Sequence, residues 1–232
     1  MLMAMAGCFI TGTDTGVGKT HVATALIRRL RSRGIPVRVR KPVESGCVLA
    51  DDRLIPEDAR LLNEAAGSPE CLQQVCPFRF SAPLSPERAA RLANRPLSLK
   101  QLVTASQVED GFVVVEGAGG FYSPIATRSL NADLAQALGL PIVLVAEDRL
   151  GILNQVLLVV EAAKHRRLCL LAIIVNQTNG RTPTSGMDNP GELRRWLQVP
   201  VLSFPYVEEI NGPEIENCLA PLLASLLKAT DR

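Results

Sequence analysis

Histidine is scarce in this sequence: His21 and His165 are the only two among 232 residues. The six cysteines, Cys8, Cys47, Cys71, Cys76, Cys169 and Cys218, form no C-x-x-C pair and lie far from the histidines along the chain. A zinc site or a cysteine–histidine catalytic pair is therefore not expected. Several of the thiols sit in apolar runs and read as buried free cysteines of a reducing compartment. Charge of one sign is lacking too, since a formal net charge of +2 is too small to argue for a nucleic-acid partner. No uninterrupted apolar run approaches the length that spans a bilayer. The first residues lack the basic segment, longer apolar stretch and cleavage site of a secretory signal. The expectation is a cytoplasmic protein with neither a nucleic-acid nor a membrane partner. Internal repeats, low-complexity tracts and linkers are also missing, so residues 1–232 read as one domain, long enough for a sizeable core.

What is present is a regular alternation of strand and helix signals. Apolar runs at Met5 to Ile10, Phe112 to Val115, Pro141 to Ala146 and Leu170 to Val175 predict strands, as do Val37 to Lys41 and Val201 to Phe204. The four consecutive apolar residues at 112–115 are expected of a strand covered on both faces. Helical patterns follow the first run, with Val22, Ala23, Leu26, Ile27 and Leu30 on one face, and recur at Glu57 to Ala66 and Pro213 to Leu227. Ser85-Pro86-Glu87 reads as an N-cap serine with proline at the first helical position. Asn189-Pro190-Gly191-Glu192 reads as a capping box that starts a late helix. Repeated strand–helix units predict an α/β fold: a doubly wound, mostly parallel sheet flanked by helices.

Between the first strand and its helix lies Gly12-Thr13-Asp14-Thr15-Gly16-Val17-Gly18-Lys19-Thr20, which fits G-x-x-x-x-G-K-[ST]. Strand, glycine-rich turn and helix aim successive backbone N–H groups and a helix N-terminus at an anion. In such a loop Lys19 reaches the β- and γ-phosphates and the Thr20 hydroxyl can ligate Mg²⁺. The chain is expected to bind a nucleoside triphosphate. Ligands of doubly wound sheets gather at the carboxyl ends of the strands, a rule that selects Lys41 to Gly46, Glu116 to Gly120, Asn176-Gln177-Thr178 and Pro205-Tyr206-Val207. Glu116 is placed as the second-strand acid that shares a metal with Thr20. A second metal-binding acid could be Asp58, but Asp51, Asp52 and Glu57 are nearby, and spacing does not choose among them. Lys41 continues the second strand and would direct an ammonium at the phosphates or at a substrate anion. Ser45 and Gly46 form a turn able to carry substrate contacts. The N–H groups that open the helix after Leu150-Gly151-Ile152-Leu153-Asn154 could hold a carboxylate. The basic stretch Arg28 to Lys41 reads as a solvated helix end whose cations complement the dipole.

Taken together, Gly12 to Thr20, Lys41-Pro42-Val43-Glu44-Ser45-Gly46, Val115-Glu116-Gly117-Ala118-Gly119-Gly120 and Leu150-Gly151 with Asn154 resemble, in order and spacing, the dethiobiotin synthetase family of P-loop enzymes. The resemblance implies an ATP- and Mg²⁺-dependent cyclo-ligase of biotin synthesis. In that reaction CO₂ (or bicarbonate) adds to an amine of 7,8-diaminononanoate (7,8-diaminopelargonate). ATP phosphorylates the carbamate, and the neighbouring amine closes a cyclic urea. It implies Lys19, Lys41 and Thr15 as catalytic residues, and Thr15, Lys41, Ser45, Gly151 and Asn154 as substrate contacts. Thr20, Glu116 and the acid seventeen residues beyond the lysine of the Lys-Pro turn, here Asp58, would hold Mg²⁺. ATP would be held by Asp14, Thr15, Gly16, Val17, Gly18, Lys19, Thr20, Asp58, Glu116, Gly117, Ala118 and Gly119, with Asn176, Gln177, Pro205, Tyr206 and Val207 near the adenine. The family is a homodimer in which the helix start at Gly151 serves the neighbouring subunit's site. This sequence departs from the pattern at Glu147-Asp148-Arg149, which is more charged, and at Ile152 and Gln155, where threonine and histidine are common. Related partitioning and septum-site ATPases carry a signature lysine early in the phosphate loop; Asp14 stands there.

Overall fold

The computed structural model describes residues 6–179, 186–207 and 212–230. Along the chain, β1 (Gly7–Gly12) leads to α1 (Lys19–Ser32), then to β2 (Val37–Arg40), β3 (Val43–Ser45), β4 (Val48–Ala50) and β5 (Arg53–Ile55). Next come α2 (Glu57–Ala65), α3 (Leu72–Val75), β6 (Phe78–Phe80), α4 (Pro86–Leu92) and α5 (Leu99–Ala105). They are followed by β7 (Phe112–Gly120), β8 (Pro124–Ala126), β9 (Ser129–Leu130), α6 (Asn131–Leu138), β10 (Ile142–Glu147) and α7 (Ile152–His165). The last elements are β11 (Leu170–Asn176), α8 (Asn189–Trp196), β12 (Val201–Phe204) and α9 (Pro213–Thr230).

Among the described residues, six strands form one sheet in the order β12-β11-β10-β1-β7-β2, and every neighbouring pair is parallel. The expected doubly wound sheet is therefore what the chain adopts. Its inner strands β7, β10 and β11 carry continuous apolar stretches because both faces are covered. Cys8, Ile10, Val114, Val145 and Ile174 pack on one face against the buried stripe of α1 and against Ile215, Leu219 and Leu223 of α9. Phe9, Val113 and Val115 point the other way, toward Leu102 of α5 and Leu134 of α6. Further along that second face, Leu144, Ile173 and Val175 meet Val156 and Val160 of α7 and Leu193 of α8. Each fully buried Leu, Ile or Phe contributes about 1.5–3 kcal/mol of transfer free energy, so the two apolar layers fix where the strand ends lie.

Four local expectations need correction. Met5 lies outside the described residues, and β1 begins at Gly7 and runs to Gly12. The strand predicted at 112–115 continues through Glu116 and the glycines to Gly120, because Gly12 pairs with Gly120 after a register shift opposite Ile10. Ser85 precedes α4 as expected, yet its hydroxyl caps no backbone N–H. The late helix is capped by Asp188, whose carboxylate accepts from Gly191 N–H, and not by Asn189. Asn189 instead donates to Asp148 at 2.7 Å. The basic stretch is satisfied internally: Arg29 donates to the Gly212 carbonyl, Arg31 to the Ala65 carbonyl, and Arg40 pairs with Glu70 at 2.8 Å.

Candidate active site

Side by side, β1, β7 and β2 bring the phosphate-loop motif, Glu116 and Lys41 to one edge of the sheet. The loop leaves β1 with Thr13 N–H bonded to the Val145 carbonyl, while Phe121 N–H bonds to the Gly12 carbonyl. Gly16 and Gly18 have φ of +75° and +87°, a region that costs other L-residues about 1–2 kcal/mol. Lys19 Nζ folds back on the loop and donates to the Asp14 carbonyl at 2.9 Å. Thr15 N–H donates to the Asp14 carboxylate at 2.7 Å. Behind the loop, Asn176 at the end of β11 donates its side-chain amide to the Val17 carbonyl at 2.9 Å.

Lys41 is the hub. Its Nζ lies 2.6 Å from Glu116 Oε1 and 2.8 Å from Asp58 Oδ2, and it also donates to the Gly117 carbonyl. Thr20 Oγ1 donates to the same Glu116 oxygen at 3.0 Å. Burial by itself would push the Lys41 ammonium down, but Glu116 and Asp58 outweigh it and hold its pKa above the ordinary lysine value. Burial would likewise raise the Asp58 carboxyl, yet Lys41, Thr20 and Lys19 hold it below the usual range. Lys19 shows the opposite balance: burial and the Lys41 charge push it down to about 8, against the pull of Glu116, Asp58 and Asp14. Two lysines thus share one field with two carboxylates.

The four acids among which spacing did not choose stand in different places. Asp51 and Asp52 form the tip between β4 and β5 with positive φ, and Glu57 pairs with Arg60 at the surface. Only Asp58 of the four joins Lys41. Glu116 is fully buried, not solvated, because it lies inside β7, which runs on to Gly120. Asn131, also fully buried, holds the segment beyond it. Its side-chain oxygen accepts from Ala118 N–H, and its amide donates to the Ala118 and Gly120 carbonyls. No motif announced that asparagine. Nor was a role read for Glu44, whose two carboxylate oxygens accept N–H groups of Asp58 and Ala59 at 3.1 Å each.

These groups open into a cleft of about 1300 Å³ lined by Thr15, Gly16, Gly18, Lys19, Thr20, Lys41, Ser45, Asp58, Ala118 and Gly119, with Pro83 and Leu84 opposite. Ser45 Oγ donates to the Leu84 carbonyl at 2.6 Å. Asn176, Gln177, Pro205, Tyr206 and Val207 gather at the ends of β11 and β12, where Gln177 N–H meets the Phe204 carbonyl. Gly151 and Asn154 are exposed at the start of α7 and do not line this cleft. Just before them, Glu147 accepts from Thr178 and pairs with Arg149, which also donates to Gln155, so the unexpected charges are mutually satisfied.

Oxygen donors from Thr20, Asp58 and Glu116 suit a hard divalent cation such as Mg²⁺. Glu116 Oε2 is buried with no hydrogen-bond partner among the described residues, a state that costs on the order of 1–3 kcal/mol when uncompensated. Among the described residues no group of three or more His, Cys, Asp or Glu side chains could hold a metal by itself. Phosphate oxygens and water would have to complete the shell, as is usual for Mg²⁺.

A glycine-rich loop on β1, an acid within the adjacent β7 and a doubly wound parallel sheet define a P-loop nucleotide-binding protein. The AAA domain family model matches residues 6–214. Among solved structures, an ADP-bound nucleotide-binding protein from Archaeoglobus fulgidus covers 97% of this chain and 88% of its own, with a TM-score of 0.50 at 14% identity. The GDP complex of the signal recognition particle receptor FtsY from Elizabethkingia anophelis covers 95% and 65%, with a TM-score of 0.52 at 14% identity. Those likenesses concern the fold. Sequence relatives are more specific: the ATP-dependent dethiobiotin synthetase BioD of Anaeromyxobacter dehalogenans (strain 2CP-C) is 42% identical over 210 residues, 89% of this chain and 92% of that protein. Its counterpart in Vesicomyosocius okutanii is 47% identical over 173 residues, 75% and 79% of the two chains. The chain belongs to the ATP-dependent dethiobiotin synthetase family. Among the described residues, no helix is long and apolar enough to cross a membrane.

Proposed function

We propose that this chain, as one ligase domain, converts 7,8-diaminononanoate, CO₂ and Mg·ATP to dethiobiotin, ADP and phosphate. An amine of the substrate takes up CO₂ as a carbamate. The carbamate oxygen attacks the γ-phosphorus and displaces ADP, giving a carbamic–phosphoric anhydride. The second amine then attacks the carbonyl carbon and expels phosphate as the cyclic urea closes. Two anions must face each other in this sequence, so positioning and positive charge matter more than a strong base. The observation that carries the reading is the convergence of Lys19 and Lys41 on one cleft with Asp58 and Glu116.

In this reading the loop from Asp14 to Thr20 cradles the phosphates, and Gly117, Ala118 and Gly119 let them approach β7 closely. Lys19 and Lys41 flank the transferred phosphoryl group, and Thr15 and Ser45 orient the diamine and its carbamate. Thr20, Asp58 and Glu116 would hold Mg²⁺, which when bound offsets negative charge on the phosphate oxygens. Asn176, Gln177, Pro205, Tyr206 and Val207 surround the adenine.

The substrate carboxylate is received at Gly151 and Asn154 of a second copy, since neither lines the cleft of its own chain. Leu150 and Leu158, 87% and 63% exposed near that helix start, support a homodimer. Light scattering on the purified chain should give about twice its 25.0 kDa mass; a monomer throughout the working concentration range would remove the second copy from the site. The activity itself is tested by coupled ADP release with and without the diamine. ADP that forms only with diamine, bicarbonate and Mg·ATP together is the expected result, and diamine-independent or absent release would overturn the proposal.

A further inference from the structure

α2 begins at Glu57 behind Pro56, which has no side chain able to accept from the first N–H groups, and no side-chain cap comes from that position. A helix start normally draws this acceptor from its own N-cap residue. Here the acceptor arrives from β3: the Glu44 carboxylate takes Asp58 N–H with one oxygen and Ala59 N–H with the other. Glu44 is itself buried, and it lies three residues beyond Lys41 on the segment that leaves β2. Asp58 is therefore gripped twice by one short stretch, at its carboxylate by Lys41 and at its backbone by Glu44.

We infer that Glu44 is a positioning residue for the metal-binding acid: it ties the first turn of α2 to β3 and so sets where the Asp58 carboxylate stands relative to Glu116 and Thr20. This rests on the proposed assignment of Thr20, Asp58 and Glu116 to Mg²⁺. A plain helix cap would support the stability of α2 alone. A positioning residue must in addition tune how well the acid serves a cation, as partners behind metal ligands generally do.

The test is the MgCl₂ dependence of ADP binding by calorimetry, referenced to ADP binding in EDTA. Glu44→Ala should raise the Mg²⁺ concentration for half-maximal enhancement roughly tenfold while leaving the EDTA affinity unchanged. A Mg²⁺ dependence equal to the native protein's, or an equal loss in EDTA, would overturn the inference. If Glu44→Ala does not fold, Pro56→Ser in the same chain supplies a local cap. The inference expects the raised Mg²⁺ requirement to persist there, because a local cap does not tether α2 to β3; full recovery would overturn it. Asp58→Asn separates the two readings. Should it leave Mg²⁺ dependence untouched, the metal assignment fails; should it weaken Mg²⁺ while Glu44→Ala does not, only the role of Glu44 fails.

Discussion

Replacing Lys41 by methionine keeps most of the side-chain volume and removes the charge, which isolates the electrostatic part of the cluster. Glu116 is fully buried and loses its 2.6 Å partner, keeping the Thr20 hydroxyl and the field of Lys19. Removing one member of a buried pair costs about 3–5 kcal/mol, most of it the penalty of the stranded charge. Asp58, whose side chain is 42% exposed, is partly rescued by water and draws the estimate to the lower end. For a chain of this size each kcal/mol moves the midpoint by roughly 2–4 °C, so a fall of about 6–12 °C near pH 8 is expected. The pH dependence has a definite sign. In the native chain Asp58 is held below the usual carboxylate range, so its stabilisation is present above its unfolded pKa and fades as pH falls through the folded value. The variant lacks that contribution, so the gap narrows in acid, and scanning calorimetry between about pH 8 and 3 should show it steady to about pH 5 and shrinking below. Adding Glu116→Gln to the variant should recover most of the loss. An unchanged midpoint near pH 8, or a gap constant across the range, would refute the account.

Two further outcomes follow from the phosphate loop. Lys19 stands at about 8 in the free chain, and a bound phosphate raises it. ADP affinity measured in EDTA should therefore fall as pH rises through that value, and a flat profile to about pH 9.5 would contradict the placement of Lys19. Gly18→Ala would force φ of +87° on an alanine and push its Cβ into the Asn176 amide. The strain of about 1–2 kcal/mol and a lost hydrogen bond of about 1 kcal/mol should lower the thermal midpoint and weaken ADP binding at least tenfold. Calorimetric binding within twofold of native would argue that the loop relaxes.

The central sheet could be read in advance because strands buried on both faces must be apolar throughout, as at Phe112 to Val115 and Pro141 to Ala146. The small pairings could not: β3 and β6 are three residues each, too short for a period-2 pattern to stand out. Glycine misled at Gly117 to Gly120, where it marks close packing against Asn131 and the phosphate loop more than a turn. Local signals also blurred the cap at Asp188, since neighbouring polar residues compete for one helix start. At the site, Lys19 and Thr20 were legible from the phosphate-loop motif, and Glu116 and Lys41 from their places after apolar or strand-forming stretches. Asp58 was not, because four acids within eight positions look alike until the hairpin of β4 and β5 carries Asp51 and Asp52 away. Glu44 and Asn131 act through backbone groups distant in sequence, and such contacts leave no local pattern.

The Ser45 hydroxyl has a single proton, and it is already spent on the Leu84 carbonyl. What that oxygen can still offer a visitor is a lone pair, so this corner of the cleft receives the N–H groups of a diamine or of its carbamate and turns away their bare anionic oxygens. A neutral amine fits such a corner; the anionic ends of the same reactants must settle elsewhere, beside the ammonium groups. The wall thereby reads the direction of a ligand before any chemistry begins.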